Sequence, residues 1–497
     1  MSRTRNESAS VVFILIDGVC VDVLQYLLDA GDLPNIARLL VEPGGMVTGT
    51  TVFPSTTGVA YIPFLFGRYP GPAGVPGIRW LDRAGSGLGM HSRWRAARSY
   101  CGVQAGWLNT DIHDGPSIFD LCPESLAICT PIDRGLEQTR KLIPFRRAVL
   151  GTLAHYAGTW QWLDNAVVRA WTTTAARRDW RFLFVVFPGL DGNSHLHDPW
   201  HASVLDGYRV VDRALGRFNA IVERHRPRPH YIAAADHGAT VIREHCDIAL
   251  ELESWGIPTL RHPFHVWRRN AQAAVMVSGN ASAQVYLGPL SGRAHPLDSD
   301  TVPRELLDRL VELPAVRLAA LRDADGGVRV VSKDGETRVH ETGDGIHCVP
   351  IRGDAIGLGD VSAGAGDREL LLASRNTGLP DAPRQLLQLF DNGRAGDIAL
   401  AAREESDFRG AWEIPEHRSG HGSLIAEHMD VPILSSVPIP EGIPIRTVDL
   451  MPTMLEYLGI DPPQGIDGRS LTSLADESAI ASSTEIHSQP RPSPDRS

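Results

Sequence analysis

The sequence predicts an α/β protein built on a mostly parallel sheet, and three short runs carry that reading. VVFILI (Val11 to Ile16), FLFVVF (Phe182 to Phe187) and YIAAA (Tyr231 to Ala235) are unbroken apolar stretches of strand length, the pattern of strands covered on both faces. Each is followed within four residues by an acid, namely Asp17, Asp191 and Asp236. Open α/β sheets collect their ligands at the carboxyl ends of their strands, so the three acids are expected at one end of one sheet.

The other elements follow in order. A helix is expected over Val21 to Leu40, interrupted near Gly31 and Pro34. The stretch PSTTGVAYIPFLFG, from Pro54 to Gly67, reads as a hydroxyl-bearing turn that opens a helix. Ser55, Thr56 and Thr57 suit N-cap positions there, and the free N–H groups of a helix start would favour a phosphoryl group carried on Thr57. The Gly- and Pro-rich loop 67–77 borders that stretch, and 82–177, with Trp107, Trp160 and Trp162, is expected to be helical and irregular and to carry substrate-facing loops. Val204, Tyr208, Val211, Leu215, Phe218 and Val222 recur at steps of three and four, which predicts an amphipathic helix. Two strands about a Gly-Asn turn are expected in 275–287, a helix from Pro303 to Leu313, and a hairpin around Asp334-Gly335. Core-like sequence resumes with a helix near Pro383 to Phe390, strands at Asp397 to Ala402 and Val431 to Leu434, and a helix from Arg446 to Gly459.

At 497 residues the chain exceeds what one hydrophobic core usually holds, roughly 250–300 residues. The expected organisation is a discontinuous core, 8–289 with 376–474, an inserted small α+β unit at 290–375, and a polar disordered tail at 475–497. Lys and Arg total 48 against 59 Asp and Glu, a net charge of -11 that gives no broad basic surface for nucleic acid or anionic membrane. An anionic substrate therefore calls for something local, such as metal ions. No apolar run approaches the roughly 20 residues of a membrane-spanning helix. The polar N-terminus leads straight into the first strand without a signal-peptide pattern. Six cysteines without paired spacing fit reduced thiols, so a cytoplasmic protein is expected.

Chemistry-bearing residues gather after the strands. PGLDGNSHLHDP places Asp191 and His195 four residues apart, with His197, Asp198 and His201 nearby; AADHG joins Asp236 to His237; and His421 lies between two glycines in SGHGS. Asp and His side chains with a threonine hydroxyl suit Zn²⁺, which takes nitrogen and oxygen ligands.

FILIDG, FPSTTG running to FGRYP, PGLDGNSH, AADHG, SGHGS and DLMPTMLEYLGI followed by GIDGRSL stand in the order of the alkaline phosphatase superfamily. The chain most closely resembles its nucleotide pyrophosphatase/phosphodiesterase-like branch, over about residues 11 to 471. The resemblance implies an alkaline-phosphatase-like sheet sandwiched by helices and two Zn²⁺ per chain. One ion would be held by Asp17, Thr57, Asp236 and His237, the other by Asp191, His195 and His421. Thr57, ten residues before Gly67, takes the nucleophile position, and a phospho-threonine intermediate is implied. The substrate is expected to be a small phosphate or phosphonate ester, most simply a phosphodiester or pyrophosphate.

The chain departs from that branch at Ala60, where Asn is common, at Ala73-Gly74, where His-Gly is common, and at Ile78, where the branch has a phosphate-binding Asn. Arg79 and Asn109 are candidates to supply the missing substrate contact. The alternatives are a phosphonate or phosphomonoester hydrolase of the same superfamily, or a non-catalytic metal-binding or sensing protein. A sulfatase is disfavoured because Arg134 lies one place too far from Cys129-Thr130-Pro131. The sequence leaves the oligomeric state open.

Overall fold

A computed structural model describes residues 9–86, 94–113, 115–261, 268, 270–289, 291–293, 295–410 and 413–476. From residue 477 onward the expected tail lies outside the described residues. Two large sheets organise the chain. The first has seven strands in the order Met46–Thr50, Asp430–Ser435, His230–Ala234, Val11–Ile16, Phe182–Phe187, Ser125–Ile128 and Lys141–Leu142. The last five run parallel, Asp430–Ser435 runs against them, and Met46–Thr50, antiparallel to that strand, completes the edge. Every residue of Val11–Ile16 and of Phe182–Phe187 is buried. Neighbours along a strand point to opposite faces, so both faces of the sheet centre are covered, as the unbroken apolar runs require.

The helices behave as their periodicity demands. Ala202–Val222 buries Val204, Tyr208, Val211, Leu215, Phe218 and Val222 along one stripe. The same stripe holds the buried Asp212, which accepts hydrogen bonds from the main-chain N–H groups of Asn35 and Ile36, each at 2.8 Å. The expected helix over Val21 to Leu40 is split: Val21–Asp29 stops ahead of Gly31, at φ +73°, and helical backbone resumes at Pro34–Ile36. A larger difference concerns Thr57. It opens a turn over 57–61, and the α-helix itself covers only Ile62–Phe66. The hydroxyl is therefore placed by a turn, not by the first residue of a long helix.

The second sheet has nine strands, ordered Thr259–Arg261, Ala273–Ser278, Ser282–Leu287, Ile398–Ala402, Val316–Arg322, Val328–Ser332, Gly335–Thr342, Gly345–Gly353 and Val361–Ala365. Residues 290–375 do not form a sheet of their own. Their strands extend one that begins at Thr259, and Ile398–Ala402, expected in the catalytic core, sits between Ser282–Leu287 and Val316–Arg322. Period-two alternation assigns its faces. Leu318 and Ala320 join a core with Leu370, Leu386 and Leu389, whereas Ala319 and Leu321 join another with Ile248, Leu252, Leu306 and Leu310.

The two sheets are fastened by buried polar contacts. Helix Ala382–Phe390, against the second sheet, presents Gln385 and Gln388 to the segment that carries Thr57. Gln385 Oε1 accepts from the Phe53 N–H at 2.9 Å, and Gln388 donates to the Phe53 carbonyl at 2.7 Å while accepting from the Gly71 N–H at 2.8 Å. Beside this helix the fully buried Arg446 makes a two-pronged pair with Asp381, at 2.7 and 2.6 Å, and also reaches Asp367. Removing one partner of such a buried pair strands a charge, which costs about 3–5 kcal/mol. Arg446→Met is expected to lower unfolding free energy by that amount, read from the denaturation midpoint at unchanged slope.

Candidate metal and nucleophile site

The site begins with strand register. Ile16 lies opposite Phe187, and Leu15 opposite Ala234, so three strands end level. Asp17, Asp191 and Asp236 therefore emerge at one end of the sheet. Gly18 draws them together. Its N–H donates to Asp236 Oδ1 at 3.3 Å, and a Cβ at this position, at φ +70°, would lie 2.8 Å from the Asp191 Cβ. Only glycine allows so close an approach at that backbone angle.

Helix Gly189–Leu196 carries Asp191 and His195 one turn apart, the spacing at which helical side chains meet; His195 Nε2 lies 3.2 Å from Asp191 Oδ2. His421 arrives from the far half of the chain and is fixed by the hairpin of the second sheet. Its N–H donates to the Gly279 carbonyl at 3.2 Å, and its carbonyl accepts from the Ala281 N–H at 3.0 Å. The ring of His421 stacks on that of His237 with centroids 3.6 Å apart.

Among the described residues, the two groups of possible metal ligands are Asp191, His195 and His421, and Asp17, Asp236 and His237. All three histidines share one arrangement. Nδ1 of His195 faces the Ser419 carbonyl at 2.8 Å, that of His237 the Gly238 carbonyl at 3.0 Å, and that of His421 the Ser55 carbonyl at 2.9 Å. A carbonyl oxygen only accepts, so each Nδ1 carries the hydrogen and each Nε2 remains for the acids, the tautomer that metal-binding histidines adopt.

The electrostatics show how confined the acids are. Burial, then the like charge of Asp17, pushes Asp236 well above the usual carboxylate range. Burial disfavours a charged His237, but Asp236, Asp17 and Asp191 outweigh it and lift the group to about 10. His421, buried and beside His237, is held well below an ordinary imidazole. Burial also works against ionised Asp191, yet His195 and the two other histidines keep its carboxyl low. Asp191 Oδ1 and Asp236 Oδ2 are buried without a hydrogen-bond partner among the described residues. Buried carboxylate oxygens are normally paired, so two orphaned ones beside three available imidazole nitrogens fit a cation.

Thr57 stands at this cluster. Its hydroxyl lies 3.2 Å from Asp17 Oδ1, to which it donates, and 3.1 Å from His237 Nε2. Neighbouring Ser55 turns away and donates to the Ser423 carbonyl at 2.9 Å. The two substrate candidates are otherwise engaged. Arg79 pairs with Glu413 at 3.1 Å. Asn109 accepts from the N–H groups of Asp133 and Arg134 and donates to the Pro131 carbonyl, holding the loop after strand Ser125–Ile128. Among the residues that the motifs singled out, His197 and His201 stack on one another with centroids 3.9 Å apart, outside both ligand groups.

Three contributors lie outside the candidate residues that the motifs mark. Tyr61 donates to Asp17 Oδ2 at 2.8 Å and so orients the acid nearest Thr57. His417 stacks on His195 with centroids 4.2 Å apart, and Asn280 holds its Nδ1 at 2.8 Å. Asp164, an acid on the buried face of helix Trp160–Arg169, accepts from the Gly189 N–H at 3.1 Å, where the ligand-bearing helix begins.

Taken together, sheet, acids and hydroxyl fit a class, the hydrolases of phosphodiester and pyrophosphate bonds. Within that class the chain belongs to the type I phosphodiesterase / nucleotide pyrophosphatase family, whose model matches residues 11–424. No curated protein matches it. Among solved structures it resembles phosphonoacetate hydrolase from Sinorhizobium meliloti 1021 in complex with phosphonoacetate, at 14% identity and TM-score 0.55, covering 90% of this chain and 96% of that one. It also resembles murine ectonucleotide pyrophosphatase / phosphodiesterase 5, solved as an inactive variant with AMP, at 14% identity and TM-score 0.53, covering 94% and 99%. The human form of that protein gives 12% identity and TM-score 0.55 over 94% and 99%. At such identities the likeness is one of fold.

Asp164 yields a pH test. Burial lifts its carboxyl from 3.8 to about 7, against the pull of the Gly189 N–H. Between those values the folded chain holds a proton that the unfolded chain has released, so this group makes stability fall as pH rises from about 4 to about 7. Asp164→Asn, which cannot ionise, is expected to show a flatter stability profile than the parent over that window, measured by urea denaturation across a pH series.

Proposed function

We propose that the chain cleaves phosphate esters, most simply phosphodiester or pyrophosphate bonds, by nucleophilic attack of Thr57 at a centre of two zinc ions. The observation that supports this most is the shared arrangement of His195, His237 and His421, each with Nδ1 on a carbonyl and Nε2 facing buried acids, beside a threonine hydroxyl. Asp17, Thr57, Asp236 and His237 would hold one ion, and Asp191, His195 and His421 the other. Bound there, a metal pair supplies positive charge that favours the ionised hydroxyl and stabilises oxygens on phosphorus.

The protein's own groups account for the remaining steps. Tyr61 fixes one oxygen of Asp17 and leaves the other to receive the Thr57 hydrogen bond. Thr57 Oγ then forms a bond to phosphorus as the bond to the departing ester oxygen breaks, giving a phospho-threonine. Water attacks that phosphorus in the second half of the reaction, releasing phosphate or a phosphomonoester and restoring the hydroxyl. Phosphonates belong in the substrate panel because one of the solved structures of similar fold binds phosphonoacetate.

Two measurements test this reading. Chelation of metal followed by dialysis is expected to abolish hydrolysis of bis-p-nitrophenyl phosphate and of a p-nitrophenyl phosphonate ester, and zinc to restore it; equal rates with and without metal would reject the mechanism. Thr57→Ala is expected to lose more than about a thousandfold in kcat while retaining metal by elemental analysis. Turnover near the parent rate would assign the attack to another group.

A further inference from the structure

Helix Pro144–Ala157 has its apolar side facing outward. Phe145, Val149, Leu153 and Tyr156 are 78%, 40%, 48% and 71% exposed. At 3.6 residues per turn these four positions fall within one narrow stripe. Ala154, on the opposite side of the helix, is completely buried. The stripe continues onto the next helix, where Trp162 is also exposed. Isolated apolar side chains on a surface are ordinary, but a stripe of aromatic and aliphatic groups marks a contact face.

Charge says what the face is for. From Gln138 to Leu163 the chain carries Arg140, Lys141, Arg146 and Arg147 and no Asp or Glu, in a protein of net charge -11. Lys141 is matched by Asp133 at 3.0 Å, which leaves the stretch basic. A helix with aromatic and leucine side chains outward and arginines in its first turn has the composition of one that lies in the plane of a membrane interface. An acidic protein partner would answer the arginines but not the apolar stripe.

The face adjoins the metal and nucleophile site. Tyr156 meets His155 edge-on at 4.9 Å, His155 meets His417 at 6.1 Å, and His417 stacks on His195. Trp160, at the start of the following helix, packs against Gly192 on the helix that carries Asp191 and His195. From this geometry we infer that helix Pro144–Ala157 docks the protein on anionic phospholipid bilayers, with Phe145, Leu153 and Tyr156 in the headgroup layer and the site held over the lipid phosphates.

The test is co-sedimentation of the full chain with phosphatidylcholine vesicles, with and without phosphatidylglycerol. The parent protein is expected to pellet with the anionic vesicles, and the double variant Phe145→Asp with Leu153→Asp to bind at least about tenfold more weakly. Hydrolysis of a soluble p-nitrophenyl ester by that variant is expected to be unchanged, because neither residue belongs to the catalytic machinery. Vesicle binding is read without turnover, so its failure and the failure of the zinc and Thr57 reading are separate results. No pelleting with anionic vesicles, equal pelleting of parent and variant, or equal binding to pure phosphatidylcholine would each overturn the inference. So would a parent dimer in sedimentation velocity that the double variant splits, since the face would then be covered by a second copy.

Discussion

Three carboxylates gathered at one end of a sheet, two of them fully buried, repel each other, and much of the surrounding structure is arranged to hold them there. Asp17, Asp191 and Asp236 reach this end because three strands end level, and Gly18 lets Asp191 pack against the main chain beside Asp17 while the Gly18 N–H reaches Asp236. Burial, then the like charge of Asp17, raises Asp236 well above the usual carboxylate range, as such crowding requires. Positive charge relieves it. His195 and His237, raised above an ordinary imidazole by the acids, supply part when protonated, and the two orphaned carboxylate oxygens point to the need for more, which a cation bound at the freed Nε2 atoms would meet.

The surrounding contacts make sense as supports for that cluster. Each histidine is anchored through Nδ1 to a main-chain carbonyl from a different segment, at Ser419, Gly238 and Ser55. Carbonyls of folded backbone are rigid partners, so ring orientation follows from the fold and not from other mobile side chains. Asp164 and Tyr61 play similar parts at one remove, the first holding the start of helix Gly189–Leu196 and the second holding Asp17.

Much of this was legible in the chain. The parallel sheet could be read because strands buried on both faces have to be apolar at every position, and the acids because they stand where those strands stop. The second sheet was less readable. Ile398–Ala402 pairs with strands more than 70 residues upstream, and nothing in its composition separates a strand of one sheet from a strand of the other. Local pattern carries no information on distant pairing, so the limits 290–375 follow composition and not sheet membership. The helix expected at Thr57 shortened to Ile62–Phe66 for a related reason: the preceding turn is held from outside, by Gln385 and Gln388 on its Phe53 side. Asp164 and His417 belong to no motif, and Tyr61 lies inside one without standing out, because their roles depend on which backbone, acid or ring lies beside them.

The grip of Gln385 and Gln388 on Phe53 has a temporal side. The segment bearing Thr57 emerges early during synthesis, but its clasp lies 332 and 335 residues downstream, and His421 comes later still. A chain made only as far as the first strands and the Thr57 turn holds that hydroxyl and Asp17, without the glutamines that clasp the segment. The contacts that fix the Thr57 segment and complete the ligand groups can therefore form only once the chain has been made as far as His421.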